Sequence, residues 1–277
     1  MQAGMAVTRK TLSNMPPPPK GKQGLFKDTP FCKDFQGVIE DDEYRIPLEN
    51  RNIVAQIVAL VGQISMPSAV ARELLETRNT SAVLYHHVLA TTLLTCRCMI
   101  EVNRNEGDTI KVARANLVKD LGMARLPKDL LKNRDHLTRK EFALIRRHPV
   151  EGMILAYHYF GEGLESLLAL RHHERRGAGY PTIAADKPNQ VVDLVTAVDV
   201  YNALVSPRSF RRASFDVRGA IDQVKIMSEH GEIATWAPRL LANIYRAAPA
   251  DKLGEVLLSD QQLGFVPTDN YYGLADL

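Results

Sequence analysis

The chain has 277 residues, 45% of them hydrophobic and 24% charged, with a formal net charge of +3, the make-up of a globular protein of one or two domains. That charge and a pI near 8.7 are too mild to argue for a nucleic-acid polymer as partner, and no basic-aromatic binding module is present. No apolar run approaches the roughly eighteen residues that span a bilayer, and Met1 to Lys10 lacks the apolar stretch of a signal peptide, so no membrane partner is expected and the cytoplasm is the expected location.

Residues 1–45 read as an irregular N-terminal arm. They show little periodicity, contain Pro16-Pro17-Pro18-Pro19 flanked by Lys20 and Lys22, and end in the acidic run Glu40-Asp41-Asp42-Glu43. A solvated linker fits this composition, with a polyproline II ligand for a protein partner as the alternative. The arm is too short for a receiver or sensory domain.

From Pro47 onward the periodicity is helical. Ile53, Ile57, Leu60 and Ile64 mark a first helix; a second is predicted over 68–77 and a third from about 80 into the Leu93-Leu94 region. These N-terminal helices fill residues 46–80, ahead of a main domain over 81–250. Cys32, Cys96 and Cys98 give an odd count, and the last two sit two residues apart on a predicted helix, so neither structural disulfides nor a zinc knuckle are expected. Further helices are predicted over 109–122, 127–132, 138–147, 150–160, 163–173, 189–205, 214–229 and 236–247, with Thr138 and Glu141 as a capping box and residues 251–277 as a C-terminal tail. Alternating strand patterns are nearly absent, so the fold class is all-α.

Some polar residues break the apolar stripes. His86 falls on the stripe of Val83, Ala90 and Leu93; Asp120 on that of Ile110, Ala113 and Leu117; Asp199 on that of Val192 and Val195. A carboxylate facing a core is costly unless it is paired or bound to a metal. Singly, each fits a locally satisfied core polar group; together with His148, His172 and His173 they fit a metal site between facing helices.

The densest such stretch is Arg171-His172-His173-Glu174-Arg175-Arg176-Gly177-Ala178-Gly179-Tyr180-Pro181. Leu164, Leu167, Leu168 and Leu170 form the apolar side of a helix carrying both histidines in its last turn, and Gly177, Gly179 and Pro181 end it. Two imidazoles at the mouth of a glycine loop suit a metal and a closely approached ligand, although a helix C-terminus with histidine favoured by the dipole accounts for the same residues. Arg171, Arg175, Arg176, Arg208, Arg211 and Arg212 cluster in sequence around these segments, as a phosphate ligand would require, and as a solvated basic face would also present.

These residues, in this order, resemble the HD-GYP family, a branch of the HD-domain metal phosphohydrolases whose usual substrate is cyclic di-GMP. The resemblance covers 84–247. His86 matches the first histidine of the family; Asp120, in Leu117-Val118-Lys119-Asp120-Leu121-Gly122, the aspartate of its His-Asp dyad; His148, in His148-Pro149-Val150-Glu151-Gly152, the next histidine. His172 and His173 match the paired histidines that precede the Gly-Tyr-Pro loop of Gly179, Tyr180 and Pro181, and Asp199 matches the final acid. Arg208-Ser209-Phe210-Arg211 is similar to a segment that helps hold the dinucleotide. The resemblance implies an HD-domain helical bundle with the HD-GYP loop and extra C-terminal helices.

It also implies two divalent ions, iron or manganese, one held by the first histidine, the dyad and Asp199, the other by Asp120, His148, His172 and His173. The departures matter. Lys119 stands where the dyad histidine belongs, Met123 where a phosphate-facing lysine is usual, with Arg125 two residues on. The loop after Glu174 is one residue shorter and lacks an aspartate, and Ala82 offers no carboxylate for a third ion. An ammonium is no metal ligand, so one ion or none is expected rather than two, with Lys119 beside Asp120 and Asp199 in place of the missing charge. Two readings stay open: a divergent cyclic di-GMP phosphodiesterase with weakened or lost catalysis, in which Asp120, Lys119 and Arg125 serve the reaction, and a non-catalytic module that binds the nucleotide or a protein. Hydrolysis of a related nucleotide is a third.

Overall fold

Apolar residues recurring at helical spacing organise nearly every segment of the computed structural model, which describes residues 21–25, 29–131, 137–176, 178–181, 188–207 and 214–246. The helices are α1 (Phe31–Glu40), α2 (Arg51–Gly62), α3 (Ser68–Thr80), α4 (Ala82–Glu101), α5 (Glu106–Val118), α6 (Lys128–Leu131), α7 (Arg139–Ile145), α8 (His148–Phe160), α9 (Leu164–Arg171), α10 (Gln190–Val205), α11 (Val217–Glu229) and α12 (Trp236–Arg246). Two short antiparallel pairs, β1 (Lys22–Gly24) with β2 (Ser65–Pro67) and β3 (Glu174–Arg175) with β4 (Ala178–Gly179), are the strands among the described residues.

The bundle is built around α4. Ser81 caps it by accepting from the Leu84 amide, and α3, α5, α10 and α12 pack against it. Its buried side chains run without a break from His87 to Met99, and full burial of residues such as Leu89, Leu93 and Leu94 stabilises the fold by roughly 1.5–3 kcal/mol each. By length and a mean hydropathy of 1.2 this helix could cross a bilayer, yet 78% of that stretch is buried inside the fold, where it serves as the core.

The expected elements are present, with shifted ends. The helix expected over 109–122 stops at Val118 and gives way to a 3-10 turn, Leu121–Arg125. Thr138 and Glu141 form the expected capping box, each satisfying the other's backbone amide.

The N-terminal arm departs from expectation. Residues 31–45 are folded onto the bundle: α1 carries Phe31, Phe35 and Val38 on one buried face, and Tyr44, in a 3-10 turn at Asp42–Tyr44, is fully buried. Phe31, Phe35 and Val38 lie at i, i+4 and i+7, a helical stripe short enough to be masked by its irregular flanks. Pro16 to Pro19 and the tail over 251–277 lie outside the described residues.

Candidate metal centre

Seven side chains from five helices and their ends meet beneath the β3–β4 hairpin. His87 comes from α4. Lys119 caps the C-terminus of α5, and Asp120 follows it at the start of the 3-10 turn. His148 opens α8, His172 caps α9 and is followed by His173, and Asp199 projects from the middle of α10. A close backbone contact brings the 3-10 turn onto α8: a Cβ on Gly122 would lie 2.0 Å from the His148 carbonyl oxygen and 2.5 Å from the Gly152 amide nitrogen. Glycine at 122 is what allows Asp120 to reach His148. Thr196 of α10 donates to the His172 carbonyl at 3.0 Å.

One half of the cluster is Asp120, His148, His172 and His173, each offering a ligand atom within 4.8 Å of the others. His148 Nδ1 lies 2.7 Å from the Ile145 carbonyl oxygen, and His172 Nδ1 lies 2.9 Å from that of Leu168 and 3.1 Å from that of Ala169. Carbonyl oxygens only accept, so both rings carry their hydrogen on Nδ1, and a neutral ring then has a lone pair on Nε2. Those two Nε2 atoms are 3.1 Å apart, and Asp120 Oδ1 is 3.3 Å from His172 Nε2 and 3.6 Å from His148 Nε2. Three acceptors facing one another with no hydrogen between them is a stable arrangement only around a cation. The donor set of imidazole nitrogens and a carboxylate suits a divalent first-row metal such as iron, manganese or zinc. Burial, then the neighbouring His172 ring, pushes His148 down to about 4, and the same two causes hold His173 well below its ordinary value. Both rings are therefore neutral at neutral pH, the form in which an imidazole can hold a metal ion.

The other half is His87, Asp120 and Asp199, also within 4.8 Å, and here Lys119 fills the centre. Its fully buried Nζ is bonded to Asp120 Oδ2 and lies 2.6 Å from Asp199 Oδ1. Burial alone would lower its pKa, but Asp120 and Asp199 outweigh burial and hold it above the ordinary lysine value. Burial likewise opposes ionisation of the two carboxyls, and Lys119 overcomes it, with His172 aiding Asp120 and His87 aiding Asp199, so that both stay well below the usual carboxylate range. Asp120 Oδ2, Asp199 Oδ1 and His87 Nδ1 already have donors. His87 Nε2 lies 2.9 Å from Asp199 Oδ1, and Asn202 Nδ2 lies 2.8 Å from His87 Nδ1. These residues do not fit a metal ion while Lys119 is charged.

His86 lies outside the cluster. It turns to the surface and meets Asp41 at 2.6 Å, both side chains over a third exposed, and its neighbour His87 occupies the inward position. Val83 and Ala90 are three and four residues from His86 and four and three from His87, so the apolar stripe admits either, and Asp41 on the folded arm decides which turns outward. Arg125 is also elsewhere, in a surface pair with Glu73 at 3.1 Å. Gly179, with φ +80°, packs against the His173 carbonyl, where a Cβ would sit 2.2 Å from the oxygen. Tyr180, followed by Pro181, stacks on His173 with ring centroids 4.8 Å apart and carries Arg146 at 5.0 Å over its face. The loop thus lies at the mouth of the cluster. Arg171, Arg175 and Arg176 pair with Glu174, Glu232 and Asp193; Arg208, Arg211 and Arg212 lie outside the described residues. Asn202 and Tyr44, which reach the cluster through His87, were not signalled by the sequence beyond a lone amide inside an apolar run and a tyrosine at the end of an acidic one.

A family model described as "HD domain" matches residues 70–233. The chain belongs to the HD-domain family. Among curated proteins it is 36% identical over 102 residues to a cyclic di-GMP phosphodiesterase of Pseudomonas aeruginosa, 31% over 100 residues to a 3′3′-cGAMP-specific phosphodiesterase of Vibrio cholerae, and 29% over 117 residues to a cyclic di-GMP phosphodiesterase response regulator of Xanthomonas campestris. These alignments cover 35%, 34% and 41% of this chain but 24%, 22% and 31% of those proteins, so the matched part spans under a third of each relative. They agree with the HD-GYP type read from the His-His and Gly-Tyr-Pro residues and with a phosphohydrolase of that lineage.

Proposed function

We propose that this chain is a divergent HD-domain phosphodiesterase for cyclic di-GMP or a related cyclic dinucleotide that holds a single divalent ion, iron or manganese, on Asp120, His148, His172 and His173. The observation that carries this reading is the convergence of the His148 and His172 lone pairs on Asp120 Oδ1 beside a position already filled by the Lys119 ammonium. A bound ion would supply a water of lowered pKa and polarise a phosphoryl oxygen.

The side chains do the rest. Asp120 divides its two oxygens between the halves, Oδ1 toward the imidazoles and Oδ2 toward Lys119. Lys119 neutralises one charge of the Asp120–Asp199 pair, leaving both carboxylates ionised. Asp199 Oδ2, 3.6 Å from His173 Nδ1, is too far for a hydrogen bond and offers a charged acceptor that can orient a nucleophilic water. Tyr180 offers a face on which a base can stack, as aromatic rings do for nucleobases. With one ion in place of two, less charge faces the phosphodiester, and turnover is slow. The filled first position also favours a second reading, a module that binds the nucleotide and reports it without cleaving it. The cytoplasm is the setting in which either would act.

Elemental analysis of the purified protein, together with cyclic di-GMP binding and hydrolysis, tests this reading. One ion per chain, lost in His148→Ala and His172→Ala, is the expected result, with slow hydrolysis if the chain is an enzyme and binding alone if it is a module. Two ions, or none under metal supplementation, would overturn the single-ion site.

A further inference from the structure

A buried chain of hydrogen bonds ties the folded N-terminal segment to the filled half of the cluster. The Tyr44 hydroxyl donates to Asn202 Oδ1 at 2.6 Å, Asn202 Nδ2 meets His87 Nδ1 at 2.8 Å, and His87 Nε2 meets Asp199 Oδ1 at 2.9 Å. All four residues are buried, Tyr44 and Asn202 completely.

We infer that Tyr44 and Asn202 are positioning residues that hold the His87 proton on Nε2, making His87 a hydrogen-bond donor to Asp199 and closing the first position to a cation independently of Lys119. The chemistry runs in one direction. An amide NH2 group only donates, so the His87 nitrogen facing it must carry a lone pair, and the hydrogen of the ring is then on Nε2. There it faces a carboxylate, which only accepts. Turning the Asn202 amide over would place its oxygen against His87 Nδ1–H and leave a lone pair on Nε2 facing the Asp199 carboxylate at 2.9 Å, two acceptors in contact inside the core. Tyr44 opposes that turn, because its hydroxyl hydrogen has Asn202 Oδ1 as acceptor in the present orientation. His148 and His172 show the contrasting case: their partners are carbonyl oxygens, their hydrogens sit on Nδ1, and their Nε2 atoms are free to bind. The partner of Nδ1 is what separates a ligand histidine from a donor histidine in this cluster.

The inference deepens the single-ion reading and makes a separate claim about His87, testable without any metal. In metal-free protein labelled with 15N-histidine, long-range 1H–15N correlation spectra should show His87 with its proton on Nε2 and His148 and His172 with theirs on Nδ1. Asn202→Asp, whose carboxylate accepts from Nδ1–H, should exchange the His87 nitrogen signals. Tyr44→Phe should leave the amide unpinned and broaden or mix them, a change that loss of packing alone would not produce at a ring whose neighbours are unaltered. In metal-loaded protein, Lys119→His alone should still bind one ion per chain, and Lys119→His with Asn202→Asp two. A His87 Nδ1–H signal in the parent would overturn the inference, as would a second ion in Lys119→His alone. The parent spectrum decides the matter even if a variant fails to fold. If the parent shows the Nε2–H form yet binds no ion, the single-ion reading fails while the assignment of Tyr44 and Asn202 stands.

Discussion

The two halves of the cluster share Asp120 and a similar set of residue types, yet one is shaped for a cation and the other already contains one. In the half with His148 and His172, backbone carbonyls take the Nδ1 hydrogens and the remaining atoms are acceptors that repel unless something positive joins them. In the half with His87 and Asp199, an amide and an ammonium supply the hydrogens that His87 Nδ1, Asp120 Oδ2 and Asp199 Oδ1 accept. The lesson is that residue identity does not make a metal site: the donors around each ligand do, because they decide where the lone pairs point.

The sharpest way to break this contrast is to remove Lys119. Lys119→Ala leaves Asp120 and Asp199 buried and facing each other, and loss of one member of a buried ion pair costs about 3–5 kcal/mol. Urea unfolding of the metal-free variant should show a loss of that size. A loss under about 1 kcal/mol, the range of an exposed pair, would mean that the ammonium does not hold the first half together.

Acidification should act on the other half. The folded-state pKa of His148 is lowered to about 4 from 6.5, so above pH 6.5 the ring is neutral folded and unfolded and its contribution is complete. Between 6.5 and about 4 the unfolded chain takes up a proton that the folded one refuses, and stability falls as pH falls. His173 shifts in the same direction and adds to the effect. The expected loss from His148 is on the order of 3 kcal/mol at one pKa unit per 1.36 kcal/mol. Unfolding measured from pH 7 to 4 in metal-free protein should show it, and His148→Gln should flatten the profile. The carboxylates behave in the same sense at lower pH: with folded pKa values well below the ordinary one, their contribution is present above the unfolded value and is lost as pH drops through the folded one.

The smallest effect separates two adjacent histidines. His86→Ala removes a partly exposed pair with Asp41 and should change stability by under about 1 kcal/mol, with metal content unaltered. His87→Ala removes a buried ring bonded on both nitrogens and leaves Asn202 and Asp199 short of partners, a loss of about 1–3 kcal/mol per unsatisfied group. Thermal melts of the pair of variants should rank them in that order; equal effects would place His86 in the cluster after all.

Helix positions, the Thr138–Glu141 capping box, the all-α class and the order of polar residues along the chain were legible in the sequence, because helical periodicity and capping are local and each residue declares them to its near neighbours. The same local logic placed Asp120 and Asp199 on inward faces, and the family resemblance joined His148, His172 and His173 to them and set Lys119 beside the two acids. Local periodicity could not choose between His86 and His87, since α4 is apolar on most sides and one residue turns a side chain by about 100°. That choice, the folding of Phe31, Phe35 and Tyr44 onto the bundle, and the pairing of Arg125 with Glu73 were decided by contacts between segments far apart in the chain. The proton positions were settled the same way, because a ring nitrogen becomes a lone pair or a donor only according to the distant carbonyl, amide or carboxylate that packing sets against it.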